Sequence, residues 1–358
     1  MRGTMKILHT ADIHLREFND ERWQVLHQLI AIGGEEGIEI FVISGDLFDR
    51  GIDAEGLRPH IRELFSNTGF KICLIPGNHD SDSYGGGMYF GEDTVILTDL
   101  SRPFEYKDVT MWGVPFKPTE SEEVLHQLRS IAHHVTPDKK HIVLYHGELL
   151  DAFFSRRDFG AEGDERYMPV RLSYFTDLQV DYVLAGHFHK GFDVWQLEGG
   201  GYFVYPGSPV SITKRETGQR RINLFELGKP PLEYPLDTPH FEDVTIVCDP
   251  FSGKNPLEQV KERFQSRHPN AQVILTITGF INGEAIGMSE QELVAGIKKI
   301  VRDRCTEPSH YEFRDIRMIL EDDLFKSFLT KLEGAGYDDI KKEHMRAIAV
   351  KAMMDARL

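Results

Sequence analysis

The sequence predicts an α/β fold followed by a smaller α+β unit, and three observations support that prediction. Apolar runs of strand length recur through the first 190 residues, at 6–10, 38–43, 72–75, 142–145 and 182–184. Segments with helical periodicity fall between several of them, as at 21–32, where Trp23, Leu26, Leu29 and Ile30 repeat at the spacing of one helix face. Past a proline-rich stretch at 229–240, strand and helix signals alternate again.

The strand-like runs share a second property. Each stops abruptly and is followed by residues that bind metal or move protons. The first leads to Asp12 and His14, the second through Ser44-Gly45 to Asp46, and the third through Pro76-Gly77 to Asn78, His79 and Asp80. The fourth ends at His146 and the fifth at Gly186, His187 and His189. In open α/β sheets the carboxyl ends of the strands are where ligands collect, because the loops leaving them form a crevice while the strands stay buried.

Between these points the predicted elements follow in order. A helix over 21–32 is ended by Gly33-Gly34, and a second runs over 57–65 before a strand at 71–75. The stretch 81–91, rich in Gly, Ser and Tyr, reads as a loop beside the site. Short strands are expected at 95–97 and 109–114, a helix at 122–132, a strand at 141–145, and a long irregular connection at 151–169. A short helix at 172–178 and a strand at 181–185 come next, then antiparallel strands at 192–197, 202–205 and 221–226, the last two joined by a turn at Pro206-Gly207-Ser208-Pro209. Proline fixes its own φ and restricts its predecessor, so the Pro-rich segment reads as an extended linker. Beyond it strands at 244–248, 272–279 and 311–317 enclose helices at 256–265 and 290–302. A helical tail over 324–332 and 340–354 carries apolar Phe325, Phe328, Leu329 and Leu332, then Met345, Ile348, Ala349 and Ala352.

Composition narrows the class. A chain of 358 residues with a net charge of −16 fits one large domain plus a smaller one and has no uniformly basic surface for nucleic acid. Basic pairs do occur at Arg156-Arg157, Lys214-Arg215 and Arg220-Arg221. Cys73, Cys248 and Cys305 are odd in number and far apart, as expected of reduced thiols, and no apolar run approaches the ~18 residues of a membrane helix. A cytoplasmic protein is expected.

The candidate ligand set is Asp12, His14, Asp46, Asn78, His146, His187 and His189. Seven donors exceed what one ion with an open position takes, and they suit two ions sharing a carboxylate. Mixed oxygen and imidazole donors favour manganese, iron or zinc over calcium or magnesium. Two such ions support phosphate-ester hydrolysis.

These residues carry a resemblance. Asp12-Ile13-His14, Gly45-Asp46, Gly77-Asn78-His79-Asp80, His146 and Gly186-His187-Phe188-His189 are similar to the signature of the calcineurin-like metallophosphoesterases, over about residues 5 to 225. The resemblance implies a four-layer α/β/β/α sandwich, with Asp12, His14 and His189 on one ion, Asn78, His146 and His187 on the other, and Asp46 bridging. It also implies that His79 contacts the phosphate and helps protonate the leaving oxygen. Within that superfamily, Leu8-His9-Thr10-Ala11-Asp12-Ile13-His14, Gly45-Asp46-Leu47-Phe48-Asp49 and Tyr205-Pro206-Gly207-Ser208-Pro209 resemble the SbcD-like DNA double-strand-break-repair exonucleases. There are two departures. Arg16 stands where many members have Gly, and Asp49 where some have a His.

The expectation is therefore a nuclease domain at 1–228, a linker at 229–240, an α+β DNA-capping domain at 241–320 and a helical tail at 321–358. The expected activity is a manganese-dependent DNA nuclease acting at or near DNA ends, with catalytic His79 and Asp46 and with Arg156, Arg157, Lys214, Arg215, Arg220 and Arg221 contacting substrate. The resemblance further implies a homodimer working with an SbcC-like coiled-coil ATPase. Two alternatives stand: a phosphodiesterase or phosphatase for small molecules or phosphoproteins, and a DNA-end-binding scaffold with weak activity.

Overall fold

The computed structural model describes residues 4–85, 88–152, 167–306 and 309–356. The chain divides into two units, Met1–Phe241 and Glu242–Leu358.

In chain order the first unit contains β1 (Lys6–Thr10), α1 (Glu21–Glu36), β2 (Ile40–Ser44), α2 (Gly51–Leu64), β3 (Lys71–Ile75), β4 (Thr94–Ile96), β5 (Phe104–Tyr106) and β6 (Val109–Val114). There follow α3 (Ser121–Ala132), β7 (Lys140–His146), β8 (Tyr182–Gly186), β9 (Asp193–Gln196), β10 (Tyr202–Tyr205), β11 (Arg221–Glu226) and β12 (Glu233–Pro235). The strands form two sheets, ordered β12-β11-β1-β2-β3-β4 and β5-β6-β7-β8-β10-β9. The central strands β1, β2 and β3 are parallel to one another, as are β6, β7 and β8.

Alternation along each central strand makes the layers. Ile40 and Val42 of β2, Cys73 and Ile75 of β3, and Ile142 and Leu144 of β7 meet in the core between the two sheets. The intervening residues point the other way. Phe41, Ile43, Ile72 and Leu74 pack on Trp23, Leu26 and Leu29 of α1 and on Leu57 and Ile61 of α2. Val143 and Tyr145 pack on Val124, Leu128 and Ile131 of α3. Successive strand side chains face opposite ways, so a strand buried on both faces reads as an unbroken apolar run. The result is a helix, sheet, sheet, helix sandwich.

Several expectations are corrected. α1 passes through Gly33-Gly34 and ends at Gly37, whose φ of 63° supplies the left-handed cap. Gly33 lies tightly against Ile38 and Phe70, so packing retains a weak helix former there. α2 begins well before residue 57, although Gly56 and Pro59 argue locally against a helix. β9 and β10 are antiparallel, but β11 lies in the other sheet beside β1. Residues 206–220 therefore cross between sheets and do not close a hairpin. The Pro-rich segment is extended, yet β12 within it pairs with β11, Tyr234 opposite Ile222, as an edge strand of the first unit.

The second unit is built on β13 (His240–Cys248), which begins two residues before the boundary, β14 (Ala271–Ile281) and β15 (His310–Asp315), with α4 (Pro256–Gln265), α5 (Gly283–Ile286), α6 (Glu290–Val301) and α7 (Arg317–Leu320). Val260 and Phe264 of α4 and Leu293 and Ile297 of α6 bury one face of this sheet. The tail helices α8 (Asp323–Glu333) and α9 (Asp339–Asp355) pack on the same unit through Phe325 and Val350. Ile348, expected on the apolar face, is 68% exposed, because the packed face of α9 runs through Val350 and Met353.

Candidate metal centre

The loops after β1 and β2 run side by side beyond the sheet. The Asp12 N–H donates to the Gly45 carbonyl (3.1 Å), the His14 N–H to the Asp46 carbonyl (3.0 Å) and the Leu15 N–H to the Leu47 carbonyl (2.9 Å). This zipper gives the ligand residues unusual backbones. Asp12, His14 and Asp46 have φ of 56°, 52° and 51°, and His187 has 109°. Each such conformation costs an L-residue roughly 1–3 kcal/mol and persists only where its surroundings impose it. Concentration of that strain at one place marks a functional site.

The glycines of the motifs are explained by close approach. A Cβ on Gly45, whose φ is 95°, would lie 2.1 Å from His146 Nδ1, and one on Gly77 would lie 2.1 Å from Asp46 Oδ1. Both positions must stay empty for the site to close.

All seven candidate ligands converge at the carboxyl ends of the central strands. Asp12, His14 and His189 form one cluster and Asp12, Asp46 and His146 another, with ligand atoms within 4.8 Å of one another. Asn78 Oδ1 lies 2.9 Å from His146 Nε2, and the His187 ring is 5.6 Å from that of His146. Asp12, from one sheet, accepts the His187 N–H of the other at 3.0 and 3.1 Å. His79 belongs to a third cluster with His14 and Asp46, and its N–H donates to Asp46 Oδ1 (2.9 Å).

The donor chemistry fits cations. His146 Nδ1 donates to the Ser44 carbonyl (2.7 Å), so in the neutral ring Nε2 presents a lone pair. That lone pair faces Asp46 Oδ2 at 3.2 Å and Asn78 Oδ1 at 2.9 Å, both acceptors. Nearby, His14 Nε2 and His189 Nε2 face each other at 3.3 Å beside Asp12 and Asp46. Converging acceptors repel unless a proton or a metal ion lies among them. The ionisation pattern agrees. Burial pushes His146 down, yet the Asp46 carboxylate outweighs it and raises the imidazole to about 10. Burial also opposes charge on Asp46, but His146 holds that carboxyl far below the usual range, while burial leaves Asp12 raised. In the absence of another cation, the Asp46 carboxylate thus draws a proton onto His146.

Three residues outside the predicted ligand set support the ligands. Asp80 accepts from the Gly77 N–H (2.8 Å), the Phe48 N–H (3.1 Å) and the Tyr84 hydroxyl (2.8 Å), tying the loops after β2 and β3 together. Burial and the neighbouring Asp46 charge push its carboxyl up to about 6. Asp49 Oδ1 lies 3.4 Å from His14 Nδ1. Glu216 Oε1 accepts from His189 Nδ1 at 3.2 Å. No local pattern announces Glu216; its one signal is a carboxylate set among the basic residues of 214–221.

The expected substrate contacts separate. Lys214 and Arg215 are exposed. Arg220 is corrected: it is 2% exposed, and its guanidinium donates to the carbonyls of Ser208 (3.0 Å) and His189. Arg221 pairs with Glu233 across β11 and β12. Arg156 and Arg157 lie outside the described residues.

The sequence profile of the calcineurin-like phosphoesterases matches residues 5–191, more than half of the chain and the whole run of strand-tip ligands. This chain belongs to the calcineurin-like phosphoesterase family. The phosphoesterase is also 22% identical over 266 residues to the DNA double-strand break repair protein Mre11 of Saccharolobus solfataricus, a match covering 69% of this chain and 65% of that protein. Thus the chain spans about two thirds of that relative's length. Among solved structures it is similar to TT1561 of Thermus thermophilus (13% identity, TM-score 0.41, 62% of this chain and 94% of that one). It is also similar to a dimetal phosphatase of Danio rerio (11% identity, TM-score 0.38, 63% and 93%). Among the described residues, no helix of the phosphoesterase is long and apolar enough to cross a membrane.

Proposed function

We propose that the protein is a dinuclear-metal-dependent DNA nuclease of the SbcD-like branch, hydrolysing phosphodiesters at or near DNA ends. The observation that carries this proposal is the match to a DNA double-strand break repair protein, because its 266 residues run past the family segment 5–191. A likeness confined to that segment would say only phosphoesterase.

In this proposal Asp12, His14 and His189 hold one divalent ion, Asn78, His146 and His187 the other, and Asp46 spans both. Manganese is the preferred metal, since mixed imidazole and oxygen donors suit it. Ions held there would polarise a phosphoryl oxygen and neutralise charge developing on the phosphorus group. The chain's own residues do the rest. His79 Nδ1 donates to the Asp49 carbonyl at 3.1 Å, which fixes the ring, so that in its doubly protonated form Nε2 carries the transferable proton. An imidazole near neutrality can then hand that proton to the leaving oxygen. Exposed Lys214 and Arg215 supply cationic contact to the phosphate backbone. The domain at 1–228 would be the nuclease and 241–320 a DNA cap, with a homodimer, an SbcC-like ATPase partner and a cytoplasmic location following from the same branch.

One observation favours a second function. A net charge of −16 suits a small phosphodiester or phosphoprotein substrate better than a polyanion. Digestion of linear duplex DNA and of a small phosphodiester by the same preparation separates the two.

A further inference from the structure

We propose that Glu216 is a positioning residue for the metal centre, acting through His189, and that the 206–220 crossover is built to hold it. The proposal rests on the assignment of His189 as a metal ligand.

His189 Nδ1 donates to Glu216 Oε1 at 3.2 Å. An ionised carboxylate can only accept, so the proton of this bond lies on Nδ1 and the Nε2 lone pair is turned toward Asp12 and His14, 3.7 and 3.3 Å away. Ligating imidazoles are commonly backed by a carboxylate in this way, which sets the tautomer and raises the basicity of the ring. Glu216 is itself immobilised. The Ile212 N–H (2.7 Å) donates to Oε2 and the Thr213 hydroxyl (3.1 Å) to Oε1, with the Ser208 hydroxyl 3.4 Å from Oε2. At 2% exposure it is a buried acid, a costly placement without such partners.

Arg220 completes the cradle. Its guanidinium reaches the carbonyls of His189, Ser208 and Glu216, so one buried cation fastens the ligand's backbone to the loop that carries its carboxylate. His146, by contrast, is backed by the neutral Ser44 carbonyl. The ring of His189 therefore has an anionic support where that of His146 has a neutral one, which makes the two metal positions unequal.

Calorimetric titration of the full chain with manganese, after chelator treatment, tests the proposal. The wild type is expected to take up two ions. Glu216→Gln, close in shape but neutral, should weaken one of the two binding events by roughly 10- to 100-fold and leave the other within about threefold, with an unchanged far-ultraviolet dichroism spectrum. Two wild-type ions with identical binding by Glu216→Gln would overturn the role of Glu216 while leaving the metal centre standing. A wild type that binds no manganese would overturn the metal centre itself. Should Glu216→Gln fail to fold, Thr213→Val decides: weaker binding at one position supports the proposal, and unchanged binding overturns it.

Discussion

Arg16 and Asp49, from the loops after β1 and β2, grip each other. Arg16 Nε donates to Asp49 Oδ2 at 3.0 Å and its terminal nitrogen to Oδ1 at 3.2 Å, while Arg22 reaches the same Oδ1 at 3.3 Å. The same carboxylate also faces His14 Nδ1. The residues form one unit, a carboxylate held by two arginines behind a candidate ligand. Asp49→Ala should lower manganese affinity by about 10-fold or more, as removal of such outer support does. Arg16→Ala should change it little, because its side chain is 52% exposed and Arg22 remains. Manganese titration of both variants checks the pair; equal losses would show that Arg16 is the effective member.

His79 and Asp46 should fail in different ways. Asp46 lies among three imidazoles, so Asp46→Ala removes the charge that gathers cations and should abolish both metal uptake and turnover. His79 is half-buried at the rim, and His79→Ala should retain metal while turnover falls by about 10²- to 10⁴-fold, the range of a lost general acid. Metal content by elemental analysis beside turnover on a phosphodiester checks both. Normal cutting by His79→Ala would remove its assigned role.

His9 predicts an acid-sensitive fold. It is fully buried in β1, and burial lowers its pKa from 6.5 to about 3. Above 6.5 both folded and unfolded chains carry it neutral, and its full contribution is present. As pH falls below 6.5 the unfolded chain takes up a proton that the folded chain refuses, so stability is lost progressively down to about 3. The slope is roughly 1.4 kcal/mol per pH unit at most. Urea unfolding of wild type and His9→Gln from pH 7 to 4 should show the wild type losing stability faster; parallel curves would mean that the folded chain takes up the His9 proton as readily as the unfolded one.

The basic residues of the crossover should separate by function. Removing Lys214 and Arg215 together should weaken DNA binding and flatten its salt dependence, since a protein that neutralises fewer phosphates releases fewer counterions. Arg220→Ala should instead lower stability by a few kcal/mol, because it strips a buried cation from the carbonyls it satisfies. Binding isotherms at two salt concentrations and thermal melts distinguish these effects.

The central site is legible in the sequence because its chemistry is local to strand ends. A buried parallel strand reads as an apolar run, and Asp12, Asp46, Asn78, His146 and His187 each follow one within a few residues. Long-range features left no such mark. Which sheet takes β11 depends on where residues 206–220 cross, and the antiparallel signal of 221–226 is satisfied equally well beside β1 or beside β10. Glu216 has no apolar run before it and acquires meaning only when the crossover carries it under His189. Arg220 shows the opposite failure: an arginine in a basic stretch reads as surface, whereas backbone carbonyls satisfy it inside. In α9, Ile348 and Val350 are equally apolar, and helix rotation against Phe325 decides which is buried.

The central claim, a metal-dependent DNA nuclease, is tested most directly by digestion of an end-labelled linear duplex in manganese, beside a small chromogenic phosphodiester and an Asp46→Ala control. The predicted result is duplex shortening that requires manganese and vanishes in the control. Cleavage of the small ester with the duplex left intact, with and without the ATPase partner, would contradict the claim and assign the same metal centre to a small-substrate phosphodiesterase.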